Sequence, residues 1–177
     1  GKIAMLSSPL LLFGTYASNA GITFEKNMSQ VSATAGLASD DVKYLSERAK
    51  QLGEDIRGAN ATDIAASYQY LALAGQSVGE MYQTIEPYTK AAIAYGEDQK
   101  RVTDLGTDSM SALRLETEKT SYYLNVLTKA QNKSNTTATQ LMEAYIACGG
   151  TLANMNVPIE ESATLLGRMA DQGTKGS

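Results

Sequence analysis

"NATDIAASYQYLALAGQSVGE" (Asn60–Glu80) decides the fold. Asn60 is a good helix cap, and Asp63 three residues on suits the positive end of a helix. Ile64, Tyr68, Leu71 and Ala72 follow at spacings of four, three and one, an apolar stripe on one helical face. Gly75 supplies the left-handed exit that ends a helix. Ser77 and Glu80 then stand three apart as a capping box, which opens a second helix at once. Two helices joined by so short a turn lie side by side, so the unit is a helical hairpin.

Working outward, the same punctuation recurs. Ser39 is placed to cap a helix with Asp40 and Asp41 in its first turn. Val42, Leu45, Ala49, Leu52 and Ile56 make its stripe, and Gly58 ends it. The helix opened by Ser77 is expected to stop at Glu86, because the residue before a proline is pushed out of the helical region. Pro87 then opens another, to Gly96. Two further helices are expected over 97–116 and 117–133, one over 136–150 after the polar joint "NKSNTT", and a last one from Pro158. No stretch alternates at period two. The expected fold is all-α: stacked helical hairpins, about eight helices, no sheet. Asn60–Gly75 also aligns without gaps on Asn135–Gly150, pairing Asn60 with Asn135, Tyr70 with Tyr145 and Gly75 with Gly150. The Pro158 helix reads as a weaker third copy. One such unit cannot bury its own apolar face, so copies stack.

The 177 residues are 43% apolar and 19% charged, a globular composition, with net charge −4. Residues 1–36 read as an apolar N-terminal helical segment entered at Pro9, and 37–177 as the helical-hairpin domain, a fragment of a longer chain. The run "KIAMLSSPLLLFGTYASNAGITF" (2–24) imitates a signal peptide and approaches a membrane span. Pro9 and its polar residues interrupt it, so packing on the fold is the favoured reading and transient membrane contact the competing one.

Function classes are excluded by what is missing. The chain has no histidine, so no Ser–His or Cys–His pair and no histidine-bearing metal site can form. Cys148 is the single cysteine, read as an inert thiol among small residues. No Lys/Arg run exists to follow a phosphate backbone, so no direct nucleic-acid contact is expected. The carboxylate pairs Asp40/Asp41, Glu116/Glu118 and Glu160/Glu161 suit helix starts and solvated faces better than a cleft. Catalytic, cofactor and metal residues are therefore none, and the chain is read as no enzyme. Ten tyrosines against two phenylalanines keep a helical protein- or surface-binding module of adhesin type as the rival function. The plainer reading makes Tyr68, Tyr70, Tyr122, Tyr123 and Tyr145 packing residues with wet hydroxyls.

Five pieces in order carry a resemblance: "SSPLLLFGTYASNAGITFEKNMSQVSA" (7–33), "LSERAKQLG" (45–53), "ATDIAASYQYLALAG" (61–75), "YGEDQKRVTDLGTDSMSAL" (95–113) and "IEESATLLGRMADQGTKGS" (159–177). Together they cover almost the whole chain, which resembles the N-terminal conserved region of phage tail tape measure proteins. The stretch "LETEKTSYYLNVLTKAQNKSN" (115–135) departs from the family, being less alanine-rich. The resemblance implies a structural protein of the tail lumen, around which tail tube subunits polymerise and whose length sets tail length. It implies tail tube, assembly and tail-tip proteins as partners, self-association, and residence in the host cytoplasm during assembly. A straight helix advances about 1.5 Å per residue, but Pro87, Pro158 and the glycines break this stretch. It is expected to be a folded unit ahead of the ruler.

Overall fold

The computed structural model describes residues 19–173. Within them the chain runs α1 (Asn19–Ala35), α2 (Ser39–Asp55), α3 (Ala61–Leu73), α4 (Val78–Tyr95), α5 (Gln99–Ala112), α6 (Thr120–Gln131), α7 (Ala138–Asn154) and α8 (Ile159–Asp171), with a short 3₁₀ turn, Thr117–Lys119, before α6. No strand occurs among the described residues. The Pro9 entry lies outside them.

The helices pair as four hairpins, α1–α2, α3–α4, α5–α6 and α7–α8. Odd helices stack in one layer, α1 on α3, α3 on α5 and α5 on α7. Even helices stack in the other, α2 on α4, α4 on α6 and α6 on α8. Each hairpin touches mainly its neighbours, the arrangement of a helical repeat array. One continuous core runs between the layers, from Phe24, Met28 and Val31 on α1 to Ile159 and Ala163 on α8.

The device that makes the hairpins is one turn used four times. Gly36, Gly75, Arg114 and Asn156 all have positive φ, at 64°, 78°, 54° and 52°, and recur at intervals of about 40 residues. The next residue donates its backbone N–H back to the helix in every copy: Leu37 to Ser32 O (3.1 Å), Gln76 to Leu71 O (3.1 Å), Leu115 to Met110 O (2.9 Å) and Val157 to Leu152 O (3.1 Å). That is the Schellman closure, which satisfies a carbonyl left open at a helix end. The residue after is extended in each case: Ala38 (φ −68°, ψ 159°), Ser77 (−67°, 162°), Glu116 (−69°, 151°) and Pro158 (−58°, 143°).

Several local expectations hold. Asn60 accepts from the amides of Thr62 and Asp63, Ser77 and Glu80 form the reciprocal capping box, and Gly96 is left-handed at the end of α4. Others are corrected. Ala38, not Ser39, precedes α2, with no side-chain cap. Pro87 does not divide two helices; it lies inside α4. Its missing N–H deprives only the carbonyl of Gln83, an exposed residue, while Met81, Ile85, Tyr88, Thr89 and Ala92 bury one unbroken face. That burial outweighs the local cost.

Gly150 does not end a helix, and its φ is not positive. α7 continues to Asn154 because Gly149 lies against Ala112 and Leu113 of α5, where an added Cβ would come within 3.1 Å. The helix stays whole to keep that packing, and Asn156 makes the exit instead.

The repeat is real but its register differs. The cap of α7 is Thr137, in a capping box with Gln140. Asn60 therefore matches Thr137 rather than Asn135, a shift of two residues. In the new register Ile64 falls on Leu141, Ala65 on Met142 and Tyr68 on Tyr145, all buried, whereas the gapless alignment put exposed Ile146 on buried Leu71. The α8 helix is the second helix of its hairpin, so it repeats α2, α4 and α6 rather than α3.

Candidate functional site

The tyrosines are the first group to place. Tyr68, Tyr88, Tyr123 and Tyr145 are fully buried, which corrects the expectation of wet hydroxyls at Tyr68, Tyr123 and Tyr145. Tyr123 donates to Ser109 Oγ (2.7 Å) and Tyr88 to Met110 Sδ (3.6 Å), while Tyr145 Oη lies 2.9 Å from Ser162 Oγ. Tyr123 and Tyr145 meet edge to face with centroids 6.1 Å apart. Burial pushes Tyr145 up to about 12 and holds the Tyr68, Tyr88 and Tyr123 hydroxyls well above the usual phenol range. These hydroxyls stay protonated and serve as packing and hydrogen-bonding groups. Tyr70 is half-buried and Tyr122 is exposed, the latter donating to Glu160.

The carboxylate pairs are not brought together. Asp40 and Asp41 sit in the first turn of α2, and Glu160 and Glu161 in that of α8. Glu116 precedes the 3₁₀ turn that holds Glu118. The Tyr122 hydrogen bond holds Glu160 below the ordinary carboxylate range. Cys148 is half-buried, and burial raises its thiol, which disfavours the reactive thiolate. Among the described residues no cluster of acidic or cysteine side chains could hold a metal, and no helix is long and apolar enough to cross a membrane.

Between α2 and α4 lies a polar network that the sequence reading did not anticipate. Arg48 donates to Glu86 Oε2 (2.5 Å) and Lys90 to Glu86 Oε1 (2.6 Å). The Arg48 guanidinium also covers the Tyr82 ring at 4.6 Å, and Tyr82 stacks on Tyr44 at 4.5 Å. The Lys90 hydrogen bond, and after it that of Arg48, holds the Glu86 carboxyl down against the opposing effect of burial. Glu86 and Lys90 are four apart on one helix, a readable signal, but splitting α4 at Pro87 hid it. The network clamps two successive hairpins together at the surface.

Two open grooves complete the surface. One, about 280 Å³, is lined by polar residues of α1 and α3, with Asn27 bonded to the Thr62 carbonyl (3.1 Å), and reaches Lys100. The other, about 480 Å³, lies between α4 and α6 beside Pro87 and Leu124. Among the described residues, four exposed apolar side chains lie on the last hairpin: Ile146, Met155, Leu165 and Met169 are 40%, 67%, 57% and 39% exposed. The side-chain contacts described are those of packing between helices.

The comparisons agree with that character. The 177 residues are 27% identical to the tape measure protein of Pneumococcus phage Dp-1, over 100% of this chain and 15% of that protein. Over 160 residues the identity to the probable tape measure protein of Escherichia phage P2 is 28%, covering 89% of this chain and 19% of that protein. The chain thus spans less than a fifth of the length of these two curated relatives. No solved structure matches it. The family model of phage-related minor tail proteins matches residues 46–177, from within α2 to the last residue. With all but the first of its hairpins inside that match, the chain belongs to the phage-related minor tail protein family.

Proposed function

We propose that this chain is the folded hairpin array of a tape measure protein, a structural component of a phage tail. The observation that carries the reading is the match to the Dp-1 tape measure protein along the whole of the chain. In this reading the complete polypeptide lies in the tail lumen, tube subunits polymerise around it, and tube, assembly and tail-tip proteins are its partners. During assembly it resides in the host cytoplasm. In this reading the chain is structural: Glu80 and Asp98 cap helices, and Tyr68, Tyr88, Tyr123 and Tyr145 are packed in the core.

The reading also sets this region apart from a length-setting stretch elsewhere in the polypeptide. Stacked helices add only about 8–10 Å per layer, whereas the same residues as a straight helix would add about 1.5 Å each. Removal of one hairpin, residues 61–98, from the complete phage gene tests this. Electron micrographs should show tails of normal length, or no assembled tails if the array is needed for initiation. Viable phage with tails shortened by about 57 Å, the straight-helix value, would overturn the reading.

A further inference from the structure

The four hairpins share a register, and the last one breaks it in one place. Counted from the extended residue before each second helix (Ala38, Ser77, Glu116, Pro158), the seventh residues are Leu45, Thr84, Tyr123 and Leu165. The eleventh are Ala49, Tyr88, Leu127 and Met169. In the first three hairpins these six side chains are 0–4% exposed; Leu165 and Met169 are 57% and 39% exposed.

The contacts show what covers these positions where they are covered. Tyr88 of α4 reaches the following hairpin, its ring lying against Gly106 and its hydroxyl against Met110 of α5. Tyr123 of α6 meets the ring of Tyr145 on α7, again in the following hairpin. α2 packs on α3, the first helix of the hairpin after it. Positions seven and eleven therefore form the seat for the next hairpin's first helix. The other side of α8 is filled in the ordinary way, with Ile159, Ala163 and Ala170 buried.

The exit from α8 points the same way. Two of the three second helices that precede another hairpin leave through a left-handed glycine, Gly58 (φ 90°) after α2 and Gly96 (φ 68°) after α4, while α6 leaves without one. Gly173 after α8 has φ 90°. At the other end of the array α1 exposes Ile22 together with Lys26 and Ser29, a mixed surface that matches Leu165 and Met169 only in part.

We propose that Leu165 and Met169 are the seat of a ninth helix, the first helix of a fifth hairpin, formed by the polypeptide that follows Gly173. The inference rests on the hairpin register and stands apart from the tail function. It predicts, further along the polypeptide, a helix with an apolar residue at the fourth position past its cap and a buried one at the fifth. Those positions hold Ile64 and Ala65 in α3 and Leu141 and Met142 in α7.

The test compares the 177-residue chain with the same chain extended through about forty further natural residues, one repeat, each with and without Leu165→Glu. In the extended chain the substitution should lower Tm by about 5 °C or more, the size expected for a charge placed in a packed seat. In the 177-residue chain Tm should stay the same and sedimentation should show a monomer. Leu165→Ala in the extended chain should also lower Tm, which keeps the result readable if the glutamate variant fails to fold. A gene that ends at Ser177, an extended chain indifferent to both substitutions, or a 177-residue dimer dissolved by Leu165→Glu would each overturn the proposal.

Discussion

Gly106→Ala, made once alone and once in a Tyr88→Ala background, probes how tightly successive hairpins are locked. Gly106 lies within α5, and a Cβ built on it would stand 2.4 Å from Tyr88 Cε1, 3.2 Å from Cζ and 3.1 Å from Oη. The Tyr88 ring is fully buried and cannot swing aside. Overpacking of this kind costs about 1–3 kcal/mol, and a clash with a fixed ring belongs at the upper end. Against it, alanine gains about 1 kcal/mol over glycine inside a helix. The net expectation is a loss of about 2 kcal/mol, or about 4–8 °C in Tm for a chain of this size. Tyr88→Ala alone should cost about 3–5 kcal/mol through the cavity it leaves. Once the ring is gone, the three nearest obstructing atoms go with it, and Gly106→Ala should stabilise by about 1 kcal/mol. The assay is thermal or urea unfolding of the four proteins followed by circular dichroism. The reasoning is refuted if Gly106→Ala has the same sign in both backgrounds, because the reversal depends wholly on the ring contact.

Gly150→Ala should raise stability by about 1 kcal/mol, since Gly150 lies within α7 with nothing within 4 Å of an added Cβ; a fall in Tm would return Gly150 to a helix stop. Arg114→Gly should stabilise by about 0.5–1 kcal/mol by relieving a left-handed non-glycine residue at φ 54°, while Gly75→Val at φ 78° should destabilise by at least about 1 kcal/mol; urea midpoints report both. Tyr68→Phe should leave stability unchanged or raise it by about 1 kcal/mol, because the buried Tyr68 hydroxyl has no hydrogen-bond partner. Tyr123→Phe, which removes the bond to Ser109, should lower it by about 1 kcal/mol. Glu86→Gln should cost about 1 kcal/mol at neutral pH, the upper end for a partly solvated pair. Because Glu86 is held below its ordinary pKa, its contribution is fully present above the unfolded carboxylate value, about 4.3. It is lost as pH falls through the lower folded value. The difference between Glu86→Gln and the parent in urea melts should therefore shrink on acidification below about pH 4.

The sequence revealed the hairpins wherever a side chain or a glycine did the capping. Asn60, Ser77 with Glu80, Gly75 and Gly96 act through local bonds that their residue types announce. It misled where tertiary packing decided. Pro87 is a helix breaker by local rule, yet the buried face running from Met81 to Ala92 carries α4 through it. Gly150 carries the signal of a stop, yet the fit of Gly149 against α5 continues the helix. The glycine signal is also missing from half of the turns: Arg114 and Asn156 adopt the left-handed position without being glycine. The forty-residue repeat was consequently visible only as a fragment, matched two residues out of register. That the chain forms no histidine-based pair and no intrachain disulfide was legible from composition, since it has no histidine and only one cysteine. The Arg48–Glu86–Lys90 clamp was not, because it joins residues 38 apart on helices whose adjacency only the fold supplies.

The layered stacking has a mechanical consequence. Each hairpin is held by its neighbours and by little else, so tension applied to the two ends of the chain peels the array from its ends inward instead of shearing a single core. A hairpin of about forty residues that comes away releases about 130 Å of extended chain, at about 3.3 Å per residue. The space it vacates in the stack is only about 10 Å deep. A pulling experiment should therefore record a staircase of near-equal extensions of about 120 Å, one per hairpin. The array behaves as a short stack of springs whose links let go one after another.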